Sequence, residues 1–188
     1  MTRTIAVSFA AVFAMILPAA AQKFAPTVAR IDAGSLNHGD LFRVQLTLGA
    51  TLGWQVRPRN TVSLRYLRQS QTAEGTDLGN NARTFVQANW EHALGVPATY
   101  QRQALIRFGV GAMFRPVLST AAVGSAGFLM RYGLARHWSL LASFEDDAAL
   151  LPTDDAIACD RSGFCAIHHF AGHLEHNVGL FISGEWRR

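Results

Sequence analysis

Lysine is nearly missing from this 188-residue chain: Lys23 is the only one, and the net charge of +4 rests on arginine. A soluble protein surface ordinarily mixes Lys, Arg, Glu and Asp, so the bias argues against a soluble β protein. Cysteine is scarce as well. Cys159 and Cys165 are the only two, and two cysteines alone do not make a metal site. Past the N-terminal region no apolar run approaches the ~20 residues of a spanning helix, so a mature chain is expected to carry no helical anchor. Arginines are spaced singly along the strand-like stretches instead of clustering beside aromatics, which excludes a nucleic-acid-binding surface. No internal repeat of fixed longer period is visible.

The first residues have the layout of a secretory leader. Arg3 gives a positive start, Ile5 to Leu17 is apolar, Pro18 breaks it, and Ala19-Ala20-Ala21 fits the small-residue cleavage rule. The apolar run is too short for a membrane anchor. Residues 1–21 are therefore expected to be a cleaved signal peptide, and residues 22–188 a single domain starting at Gln22. Export leads to an oxidising compartment, where Cys159 and Cys165 can form a disulfide.

What the sequence does have is alternation. From Phe42 to Val56 one register reads Phe42, Val44, Leu46, Leu48, Ala50, Leu52, Trp54; the other reads Arg43, Gln45, Thr47, Gly49, Thr51, Gly53, Gln55. A pleated strand sends successive side chains to opposite faces, so this stretch has one apolar and one polar face. It exceeds the usual strand of about 5–6 residues and suits a tilted membrane-crossing strand of about 9–11. Similar stretches follow at 61–71, 82–94, 101–114, 119–133 and 138–147, with a less clean one at 27–36. The tail from Ala166 to Trp186 reads as one long strand, with a hairpin near Glu175 to Asn177 as the competing reading. The count is eight. Connections at 57–60, 95–100 and 134–137 are short. Those at 72–81 and 148–165 are long, and 37–40 and 115–118 fall on their side. Outer-membrane barrels have even strand numbers, short turns at one end and longer loops at the other.

The polar face decides which side points inward. By register it carries Arg43, Arg65, Arg107 and Arg131, together with Glu91, Glu145, Glu175 and Glu185. Opposed charges at mid-strand suit a lumen packed with ion pairs, since buried charges must be matched. The apolar face carries Trp54, Tyr66, Trp90, Tyr132, Trp138 and Trp186 near strand ends, where interfacial aromatic girdles sit. The expected fold is all-β: an eight-stranded antiparallel up-and-down transmembrane β-barrel. A soluble exported barrel of the lipocalin kind, binding a ligand inside, is the inverse reading.

With leader, alternating strands, loop asymmetry and a last strand closing on Leu180-Phe181-Ile182-Ser183-Gly184-Glu185-Trp186, the chain resembles the small bacterial outer-membrane barrels of the OmpA/OmpX type. Family members usually finish on the aromatic; here Arg187 and Arg188 follow it. The resemblance implies a monomer in the bacterial outer membrane, meeting lipid and lipopolysaccharide, inserted by the barrel-assembly machinery, with no cofactor. An eight-stranded barrel has an interior that side chains fill, so the expected role is structural or surface-interacting.

Catalysis is the weaker expectation. Some barrels of this kind modify lipid A with Ser, His and an acid. Ser70 lies before a long loop on the apolar register, but no His stands beside it in sequence, and a nucleophile without a placed base is weak. Glu145-Asp146-Asp147 with the histidines at 168, 169, 173 and 176 suggests a water-activating or metal site. His169 and His173 sit ~13 Å apart on a strand, which is not zinc-ligand spacing, and lumen hydrogen bonding is the preferred reading.

Overall fold

The computed structural model describes residues 26–38, 45–70, 83–94, 102–115, 119–159 and 165–188, without the side chains of 37–38 and 154–170. The expected leader, residues 1–21, and Arg43 lie outside the described residues. Among the described residues there are ten strands: β1 (Val28–His38), β2 (Leu46–Arg57), β3 (Asn60–Gln69), β4 (Arg83–Leu94), β5 (Arg102–Phe114), β6 (Ala121–Gly133), β7 (Trp138–Leu151), β8 (Asp154–Cys159), β9 (Cys165–Phe170) and β10 (His173–Arg187).

Eight of these close into a barrel in the order β1-β10-β7-β6-β5-β4-β3-β2, every pair antiparallel. The seam runs from Val28 opposite Arg187 to His38 opposite Asn177. Closure leaves the barrel no unpaired edge, which removes the aggregation hazard of exposed strand edges. The connections after β2, β4 and β6 lie at one end, called here the turn end; the opposite end is the loop end.

Two expectations need correction. The stretch at 148–165 is not all loop: β7 runs on to Leu151 and β8 lies within it. The tail is not one strand, because β9 and β10 are separated at Ala171-Gly172. Nor does a hairpin form near Glu175 to Asn177, which lie inside β10. Pro152 supplies the physical reason on one side of the break, since proline cannot donate to the ladder. On the other side the chain passes close: a Cβ on Gly172 would lie 3.0 Å from the Leu151 carbonyl oxygen. The register survives. Leu151 pairs with His173 and, beyond the break, Asp154 with Phe170. The β8–β9 hairpin thus continues the β7–β10 ribbon beyond the barrel rim.

The polarity of the barrel is inverted relative to a soluble domain. Outward positions hold exposed Ile31, Leu48, Leu64, Phe108, Val110, Phe144, Leu180 and Ile182, while inward positions bury Arg30, Asp32, Arg65, Glu91, Arg107, Glu145 and Glu185. The lumen is layered. An apolar plug of Leu36, Leu67, Phe85, Met113, Val123, Leu151 and Phe181 fills the loop end. A smaller cluster of Ala93, Leu105, Leu129 and Leu141 lies toward the turn end. Charges occupy the middle.

Candidate functional site

The charged layer is one connected belt. Asp32 on β1 accepts from Thr51 Oγ1 on β2 at 2.8 Å and from Ser183 Oγ on β10 at 2.5 Å, and lies 3.3 Å from Arg65 Nε on β3. Arg65 Nη1 donates to Glu145 on β7. Glu145 also accepts from Ser143 at 2.6 Å and from Arg107 Nη1 on β5 at 2.7 Å. Arg107 turns its other edge to Glu91 on β4, with Nε and Nη2 at 3.0 and 2.8 Å from Oε1. Glu91 receives Arg30 through two parallel bonds, Nη1 to Oε1 at 2.5 Å and Nη2 to Oε2 at 2.6 Å. Arg30 Nε then reaches Glu185 Oε2 at 2.6 Å. Glu185 ends the belt by facing Arg131 on β6 at 2.8 Å and Arg187 at 2.6 Å.

Every strand of the barrel contributes to this belt. Arg30, Arg65, Arg107 and Arg131 meet Asp32, Glu91, Glu145 and Glu185, four of each and all buried. Burying a charge away from water is expensive unless it is paired and hydrogen-bonded. The planar arginine fork suits such sites because it bonds carboxylates through two edges at once. Gly127 helps by keeping its inward position bare: it pairs with Glu145, and a Cβ there would lie 2.9 Å from Glu145 Cγ.

Of the residues expected from sequence, Arg65, Arg107, Arg131, Glu91, Glu145 and Glu185 sit in the belt. Glu175 stands apart near the loop end, paired with Arg83. Sequence reading left Arg30, Asp32 and Arg187 out of the lumen, and it put Arg83 on the polar face with Glu91 without counting it among the ion pairs. The signal for the first two was present: Arg30, Asp32, Gly34 and Leu36 share a parity opposite to Ile31, Ala33 and Ser35. Asp147 is also buried, but it receives only Gln87 Nε2 at 2.8 Å, and its Oδ2 meets no donor among the described residues.

The aromatic residues lie on the outward face, mostly toward the turn end. Trp186 pairs with Trp138 across β10 and β7. Trp90 stacks on Phe108 with ring centres 6.3 Å apart and on His92 at 5.5 Å. Trp54 and Tyr132 lie on the same end, and Tyr66 is set higher on β3. Among the described residues no group of three or more His, Cys, Asp or Glu is placed to hold a metal ion. His176 pairs instead with Asp146 at 2.8 Å on the outward face. Ser70 donates its hydroxyl to the Leu46 carbonyl at 3.3 Å. Cys159 and Cys165 are register partners at the end of β8–β9; their side chains lie outside those described, as do those of His168 and His169.

No family model matches the chain, and no curated protein sequence matches it. Solved structures do. Neisserial surface protein A (NspA) aligns with a TM-score of 0.56 at 9% identity, covering 86% of this chain and 96% of that one. A major outer membrane protein from Thermus thermophilus aligns at 0.48 and 13% identity, covering 86% and 99%. At such identity the likeness is one of architecture: this chain has the closed eight-stranded antiparallel barrel fold that neisserial surface protein A also has.

Proposed function

We propose that this chain is an integral barrel of the bacterial outer membrane with a plugged lumen and a structural or surface-interaction role. The observation that carries the reading is the inverted polarity. A barrel in water would bury its leucines and phenylalanines and leave its arginines and glutamates outside. Here Val110 is 70% exposed and Leu180 65%, while Arg65 and Glu91 are almost fully buried. Only a hydrocarbon surround makes that arrangement favourable. Residues 1–21 act as the export leader in this reading. The turn end faces the periplasm, and the β8–β9 ribbon projects outward as the interaction element, with lipid and lipopolysaccharide around the apolar face. The assembly machinery inserts the chain as a monomer.

The belt and the apolar plug together support a role without bulk diffusion, because charged and apolar layers both span the lumen. The test is fractionation of the expressed protein, followed by gels of boiled and unboiled outer-membrane material. Recovery in that fraction with a heat-dependent mobility shift is expected. Recovery in the soluble periplasm would overturn the reading.

A further inference from the structure

The sequence of the turn end is unbalanced in charge. Its connections contain Arg57, Arg59 and Arg136 and no Asp or Glu. A cavity of about 410 Å³ opens there, lined by Arg102, Arg131, Arg136, Arg187, Arg188 and His137 among others. That volume is within the ~300–1,000 Å³ of small-molecule sites. No Asp or Glu is among the residues that line it. Glu185, two residues before the lining residue Arg187, already faces Arg30, Arg131 and Arg187. Arg102, Arg136 and Arg188 pair with no carboxylate among the described residues.

The cavity is also built rather than incidental. Arg131 is 7% exposed and fixed by Gln103 Oε1 at 2.5 Å and by Glu185. His137 Nδ1 donates to the Arg187 carbonyl at 2.8 Å, and Arg187 N–H returns a bond to the His137 carbonyl at 2.8 Å. These bonds clip the β6–β7 turn to the end of β10. Arg102, Arg136 and Arg188 stand exposed around the mouth and Arg131 is buried beneath them, so an anion entering the cavity meets positive charge from the rim and from below.

We propose that this cavity binds a phosphate-bearing anion. A phosphate group carries up to two charges and three acceptor oxygens, which lets several arginine forks bond it at once. A carboxylate, with one charge and two oxygens, would leave most of the lining unmatched. The phosphate can belong to a lipid headgroup or to a soluble compound. The inference depends on the fold and the arginines, not on the membrane proposed above.

The test uses the full chain in phosphate-free zwitterionic micelles and equilibrium dialysis against labelled inorganic phosphate. One phosphate bound saturably per barrel is expected. R102Q/R136Q should weaken binding about tenfold or more while keeping the heat-dependent gel shift. R57Q/R59Q loses the same charge outside the cavity and should leave binding unchanged. Repeating the measurement in phosphatidylcholine nanodiscs with and without phosphatidic acid separates the sources: competition by the lipid assigns a headgroup, and no competition assigns a soluble phosphate. Absence of saturable binding, or equal weakening by both double variants, would overturn the site.

Discussion

The guanidinium carbon of Arg65 lies 4.6 Å from the centre of the Phe181 ring, and the same guanidinium bonds Glu145 and approaches Asp32. Arg65 therefore joins two layers of the lumen. Its edge belongs to the charged belt and its flat face rests on the apolar plug. A desolvated cation over an aromatic face gains about 2 kcal/mol, so the boundary between layers is itself cohesive.

Glu145→Gln removes the carboxylate shared by Arg65 and Arg107 and leaves two buried cations short of charge. Breaking a buried pair costs about 3–5 kcal/mol, seen as a lower urea midpoint for loss of the heat-modifiable band. Asp147→Asn is the contrast. Asp147 has a neutral Gln87 contact and no arginine bond, so its replacement should cost under about 1 kcal/mol or stabilise. Equal losses for the two variants would show that the belt is not the source of cohesion.

Gly34 sits where a side chain has no room. A Cβ there would lie 2.2 Å from the Leu180 carbonyl oxygen and 2.5 Å from Phe181 Cδ1. Gly34→Ala should displace the ring beneath Arg65 and destabilise by about 1–3 kcal/mol, the usual range for overpacking. Gly184→Ala is the control, since its Cβ would meet nothing within 4 Å. Unfolding midpoints in micelles distinguish them.

Val110→Arg tests the outward face. In a bilayer a lipid-facing arginine near the midplane costs about 2–4 kcal/mol. The same change on a water-facing surface would be close to neutral. Refolding yield and urea midpoint in lipid vesicles are the measurements; an unchanged midpoint would show that Val110 does not meet hydrocarbon.

Register places Cys159 opposite Cys165. Directly opposite residues of an antiparallel pair have Cα atoms about 4.5 or 5.5 Å apart, inside the span of a disulfide. Closing so short a loop contributes about 2–3 kcal/mol, confined to the ribbon. Reductant should raise protease cutting within 154–170 and leave the heat-modifiable barrel band intact. Loss of the barrel band on reduction alone would contradict this.

Strand periodicity was legible because the two-residue alternation recurs from one strand to the next with little interruption. The inward face was legible where Arg and Glu fall on polar registers, as in Arg65 and Glu91. Three features were not. Leu67, Phe85, Met113 and Phe181 are apolar residues on the inward register, which a rule of polar-in and apolar-out hides; only closure shows that they gather at the loop end. Which Arg meets which Glu depends on register and strand tilt around the barrel, so Arg30 reaches Glu91, distant from it in sequence, as well as Glu185 across the seam. The ribbon break at Pro152 and Gly172 was obscured because the residues beyond it keep the same pairing.

The bond between Arg30 and Glu185 links the first barrel strand to the last. Before β10 docks, Arg30 and Arg131 lack Glu185, the carboxylate they share. Sealing the cylinder and giving these two arginines their shared partner are thus one event. A barrel open at this seam has nowhere to stop part-way: it stays hydrated and pliable, or it shuts with its charges already matched.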